Sequence, residues 1–375
     1  MGRGGSSEKS SLTLIIFHAA SASARDDSRP ANIDTPSRTG ENRHNRKGFG
    51  NQDTSKQTQW LASLRESHVS QVGSLFGPDA ARFIGMIDQL ELSSRKTRYT
   101  FTSTEEYERI IRSEPSRGMQ IYWGEILARA HLTAVTAILR SRHWIVAVIS
   151  AARDKNLLAF AAAFRGLIES AADAATAFRS IPGTLARYHS QISSALSGDL
   201  GRTFFDVSQI EDELIHFSHA RHLTKPELAT APPSHSARRI SDYIETLEKG
   251  QVTEVIKLYR TLCDLTHPGA SSVWMWLSPV NELEFDLAAD QDDSVISHFL
   301  AEYRKTFLEL LMFAFNPAIV TLSVLNYFPI TQFHVPQLLS WNLSGIPLWQ
   351  KCQKDLKGVR PHVRAPLKAV KPIRH

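Results

Sequence analysis

Cysteine is nearly absent from this chain. The two that occur, Cys263 and Cys352, stand far apart and neither belongs to a CxxC pair, which argues against a disulfide framework and a zinc knuckle. A reducing, cytoplasmic setting is the expectation. Also missing are a P-loop, a GxGxxG after a strand and a GxSxG, so no small-molecule cofactor is expected. There is no internal repeat and no sustained strand–helix alternation. The fold class that remains is all-α, a helical bundle.

Long uncharged runs are scarce too. Leu310 to Ile330 is long enough to span a bilayer, but Asn316-Pro317, Asn326 and Pro329 interrupt it. Two buried helices with a turn between them are expected there, and no membrane. Residues 12–24 follow Arg3 and Lys9 and end in small residues as a signal peptide does, yet their apolar run is short and meets His18.

An excess of one charge is missing from the body of the chain. The net charge is +5, but the first 50 residues hold 8 basic and 5 acidic groups, and the last 25 hold 8 and 1. The intervening 300 hold 27 basic and 32 acidic groups, so the basic character lies in the ends. A basic tail can hold any polyanion weakly without reading its sequence.

What is present, with 42% hydrophobic residues in 375, is enough to bury a core. Residues 1–54, rich in Ser, Gly, Arg and Asn, are expected to be disordered. Residues 55–116 read as an accessory helical region, in which Ser103-Thr104-Glu105-Glu106 is a capping box. The main bundle is placed at 117–345 and a basic, disordered tail at 346–375. Within the bundle, the pattern from Arg117 to Arg153 is one long helix with a possible break at Arg140–His143. Asp154 is the candidate cap of the next helix, and Asp293–Phe315 reads as the last long one. SSVWMWLSP with NELEFDL suits a small hairpin or a packed loop.

The chain is organised around QVTEVIKLYRTLCDLTHPG, 251–269. Val252, Val255, Ile256, Tyr259, Leu262 and Cys263 form the expected buried stripe, and Pro268-Gly269 ends the helix. Arg260 and His267, seven residues apart, point within about 20° of each other on an ideal helix, at the stripe's border with Asp264 just beyond. Such a pair suits a phosphodiester: an imidazole moves protons to or from a ribose 2′-hydroxyl and leaving oxygen, and a guanidinium stabilises charge on phosphorus oxygens. The bland alternative is a helix-end histidine and a surface arginine.

In the helix KNLLAFAAAFRGLIESAADAATAFRSI, Arg165, Glu169 and Asp173 repeat every four residues among small apolar ones. Surface ion pairs or the lining of a site both fit that spacing. EDELIHFSHARH places Glu213, His216, His219 and His222 close together, but no second ExxH completes a di-iron set, so no metal site is assigned. Cys263 is expected in the core, not as a nucleophile for His267. Trp274 and Trp276 alternate after the motif and can pack in the core or stack on a base.

YRTLCDLTHPG resembles the terminal motif of the HEPN superfamily, bacterial helical bundles with an arginine, four to six intervening residues and a histidine; here six intervene. RGLIESAADAA resembles the earlier helix that carries an accompanying acidic residue. The resemblance covers about 120–325; where a small polar or acidic residue often follows the arginine, Thr261 is polar but cannot ionise. It implies a metal-independent endoribonuclease of a defence or toxin–antitoxin system, with Arg260, His267 and Glu169 catalytic. Arg165, Asp173, Asp264 and Trp274 would contact RNA. It also implies a homodimer or a protein partner. The alternative is a non-catalytic helical interaction module.

Overall fold

A computed structural model describes residues 68–94, 97–199, 207–288 and 291–363. The expectations for 1–54, including the signal-like segment, lie outside the described residues. The fold is all-α with one two-stranded sheet. Helices α1 (68–76) and α2 (Pro78–Ser94) are followed by α3 (Thr104–Ser113) and α4 (Pro115–Arg153). Next come α5 (Leu157–Ala177), α6 (Ile181–Arg187), α7 (His189–Leu196) and α8 (Ser208–His219). After the single turn α9 (Lys225–Leu228) come α10 (Ile240–Lys249), α11 (Val255–Thr266) and α12 (Ala270–Trp274). The hairpin β1 (Leu277–Pro279) and β2 (Phe285–Leu287) leads to α13 (Asp292–Glu302), α14 (Arg304–Leu325) and α15 (Pro347–Asp355).

Helix α5 is the hub. Its alanines let α4, α10, α11 and α14 pack directly against it, and Phe160, Phe164, Leu167 and Ile168 are wholly buried. Each such side chain contributes about 1.5–3 kcal/mol of burial. Phe164 meets Phe307 of α14 edge-on, and Phe307 stacks on Phe76 of α1. The accessory region therefore shares the core of the bundle.

Several boundaries differ from expectation, each for a packing reason. Helix α4 runs unbroken through Arg140–His143, because Ser141 and Ile145 are buried and Arg142 pairs with Asp88 of α2 at 2.5 Å. Asn156, not Asp154, caps α5, accepting from the Ala159 amide at 2.9 Å. The expected helix at 293–315 divides at Tyr303, and α14 then runs through Pro317 instead of ending there. Proline removes one hydrogen bond and crowds the preceding turn, but Ala314, Phe315, Ala318 and Ile319 are all buried around it. The basic segment assigned to a disordered tail from 346 begins with α15, whose Trp349 and Cys352, with Leu356, are buried against the bundle. The capping serine appears where expected, Ser103 accepting from Glu106 N, and the hairpin forms in part: Leu277 pairs with Leu287, but Ala270–Trp274 is the helix α12.

Helix α11 is held at its start by α14. Glu309 accepts from Thr253 N at 2.6 Å and Thr253 Oγ1 at 3.2 Å, while Thr306 Oγ1 donates to the Thr253 carbonyl. Gln251 and Glu254 turn the chain with left-handed φ values of 66° and 51°, a conformation that costs a non-glycine residue about 1–2 kcal/mol. Burial of Val252 and Val255 around them offsets that cost.

Candidate functional site

The buried face of α11 is Val255, Leu258 and Leu262; Ile256, Tyr259 and Cys263 are only half-buried. The stripe is thus turned toward Leu258 relative to the sequence reading, because α11 packs against α5 and α10 together. Tyr259 and Thr266 share the face that meets α5, and Arg260, a step of about 100° further round, is exposed to solvent. His267 is the C-cap residue with extended backbone (φ −90°, ψ 146°), the geometry a following proline favours. Both residues are exposed at the rim, and among the described residues no hydrogen bond or ion pair joins Arg260 to His267.

A different arginine meets the histidine. Arg165 of α5 places Nη1 3.2 Å from His267 Nε2 and donates to Thr266 Oγ1 at 3.2 Å, while its Nε donates to Glu169 Oε1 at 3.2 Å. Tyr259 donates to the same Glu169 oxygen at 2.8 Å; burial, and then the hydrogen bond to that carboxylate, raise the phenol's pKa. A guanidinium only donates, so Nε2 of His267 is the acceptor in this contact. The side chains of Arg165 and Glu169 are 28% and 29% exposed and His267 is exposed, so solutes can reach the cluster. Arg165 thus orients the imidazole, and Glu169 with Tyr259 orients Arg165.

Asp173, the third member of the four-residue repeat, belongs to an adjoining cleft. A cavity of about 230 Å³ is lined by Arg140 and Trp144 of α4, Gly166, Glu169, Ser170 and Asp173 of α5, and Ile240 and Tyr243 of α10. Arg140 donates to Asp173 Oδ2 at 2.5 Å and to Ser170 Oγ at 3.1 Å. Gly166 is required by close approach: a Cβ there would lie 2.7 Å from the Trp144 indole. Glu169 stands in both places, on the cleft wall and as the carboxylate that holds Arg165.

The remaining candidates lie apart. Asp264 is exposed on α11. Trp274, about half exposed, meets Phe285 of the hairpin edge-on at 5.0 Å between ring centroids. His216 is buried, its Nδ1 donating to the Ser234 carbonyl at 3.1 Å and its Nε2 accepting from Tyr243 at 2.6 Å. Among the described residues, no three His, Cys, Asp or Glu side chains converge as metal ligands. Cys263 is half-buried rather than fully in the core. Sequence reasoning missed Tyr259, Thr266, Arg140, Trp144 and Tyr243 as polar or aromatic lining. The available signal was the i, i+7 placement of Tyr259 and Thr266, one face of α11 turned to α5. Comparison with family profiles, characterised proteins and solved structures gives no match for this chain.

Proposed function

We propose that the Arg165–Glu169–His267 cluster is a metal-independent site for cleaving RNA. The observation that carries this reading is that His267, exposed at the end of α11, is held through Arg165 by a carboxylate on a different helix. When a phosphodiester enters, its oxygens compete for Arg165, freeing Nε2 of His267 to take the ribose 2′-hydroxyl proton as O2′ bonds to phosphorus. Arg165 then stabilises charge on the phosphorus oxygens. The P–O5′ bond breaks and the imidazolium returns the proton to the departing 5′-oxygen, leaving a 2′,3′-cyclic phosphate. Arg260 has no ion-pair partner among the described residues and serves as an outer cation for the strand.

The test is cleavage of a mixed RNA pool in EDTA by the wild type, His267→Ala, Arg165→Ala and Arg260→Ala. Loss on His267→Ala and a larger loss for Arg165→Ala than for Arg260→Ala is the expected order. Equal activity of wild type and His267→Ala, or none in either, sinks the enzyme. One observation favours the second reading, a non-catalytic interaction module: Val273, Trp274, Val280, Leu283, Phe285 and Leu287 are all exposed beside the motif. If that surface carries the function, Leu283→Asp with Leu287→Asp abolishes complex formation while His267→Ala leaves it intact.

A further inference from the structure

The cleft beside His267 has its own chemistry. Glu169 uses Oε1 for Arg165 and Tyr259, and Asp173 uses Oδ2 for Arg140; Glu169 Oε2 and Asp173 Oδ1 have no partner among the described residues. Both acceptors belong to residues on the cleft wall, one helical turn apart on α5. Tyr243 spends its proton on His216, so its oxygen is a further acceptor. Trp144, 37% exposed, sits over Gly166 at the same wall. At about 230 Å³ the space falls below the range of about 300–1,000 Å³ that holds drug-sized ligands, and suits a single planar heterocycle.

We propose that this cleft is a base-binding subsite that selects guanine. Guanine alone among the four RNA bases presents two adjacent donors, N1–H and the N2 amino group, on one edge, which matches a pair of carboxylate acceptors. Arg140 in the same wall supplies a donor for guanine O6, and Trp144 supplies a ring to stack on. A cationic ligand such as a peptide arginine fits less well, because each carboxylate is already neutralised by its own guanidinium and Arg140 would repel the newcomer. Since Glu169 is shared with the His267 cluster, a base held here leaves its ribose beside the imidazole. The inference rests on the ribonuclease reading for its purpose, not for its binding chemistry.

The experiment is calorimetric titration of the full chain with guanosine, adenosine, cytidine, uridine and arginine amide, beside mapping of RNA cut sites in EDTA. Guanosine is expected to bind at least about tenfold more tightly than the others. Asp173→Asn and Glu169→Gln are each expected to remove about tenfold of that preference; the wild-type ranking stands without either variant. Equal binding of all nucleosides, no binding, or arginine amide binding tightest overturns the subsite. Cutting with no preference at guanosine also overturns it, while the ribonuclease survives. Selective guanosine binding without cutting upholds the subsite and overturns the ribonuclease.

Discussion

The interior of the α4–α8 region and the rim between α5 and α11 are built from the same residue types with opposite results. Inside, His131 is 1% exposed, accepts or donates to Tyr99 Oη at 2.7 Å and stacks on Phe333; His216 has both ring nitrogens engaged; Arg142 faces Asp88. At the rim, His267 and Arg165 are held by side chains that still face water. A buried polar group without partners is costly, and both ring nitrogens of His216 are accordingly spent on hydrogen bonds. Inside, Asp88 Oδ2 is an exception, buried without a hydrogen-bond partner among the described residues, whereas at the rim water can serve such spare capacity. A histidine's depth in the bundle, more than its sequence neighbours, separates framework from candidate site.

The comparison breaks first if His267 behaves like an interior residue. His267→Ala is expected to lower RNA cleavage in EDTA by about 10²-fold or more while moving the urea-unfolding free energy by less than about 0.5 kcal/mol. A large stability loss would move it into the framework class. The converse test is Arg142→Ala, which strands Asp88 in the interior and is expected to cost about 3–5 kcal/mol by urea denaturation. A cost near zero would show that the pair is not a structural tie between α2 and α4.

Titration sharpens the contrast. Burial lowers the pKa of His131 from 6.5 to about 4, so the fold favours its neutral form. That contribution is present in full above pH 6.5 and is lost as pH falls toward 4, up to about 3 kcal/mol. Glu211, bonded by Tyr122, runs the other way: burial, then the nearby Asp212, raises it from 4.5 to about 7. Its contribution is complete below pH 4.5 and is lost as pH rises through 7. Stability measured against pH should lose its acid limb in His131→Gln and its neutral-range decline in Glu211→Gln. The smallest effect is at the cleft. Gly166→Ala drives a methyl into Trp144 and is expected to cost about 1–3 kcal/mol in thermal unfolding, with guanosine binding weakened beyond that change in stability.

Much of the fold was legible because it rests on local rules. Helix periodicity located α4, α5 and α11, Ser103 announced the start of α3, and the stretch after the motif divided, Ala270–Trp274 forming α12 and only Leu277–Pro279 entering the β1–β2 hairpin. What misled were strong local breakers overruled by packing. Pro317 does not end α14, because buried neighbours on both sides keep the helix going, and the basic charges beyond 346 concealed the Trp349–Cys352–Leu356 stripe of α15. Arg165 and Glu169 were legible as a charged stripe in an apolar helix. The cleft was not, since Trp144 and Tyr243 belong to helices far off in sequence.

By itself the sequence determined an all-α chain, the helix ending at His267-Pro268, and the charged stripe of α5, since periodicity, proline geometry and side-chain spacing are set within a few residues. Only the tertiary structure decided which arginine meets His267. The rotation of α11 depends on how Leu258 and Leu262 seat against α5 and α10, and that seating turns Arg260 to solvent and leaves Arg165 beside the imidazole.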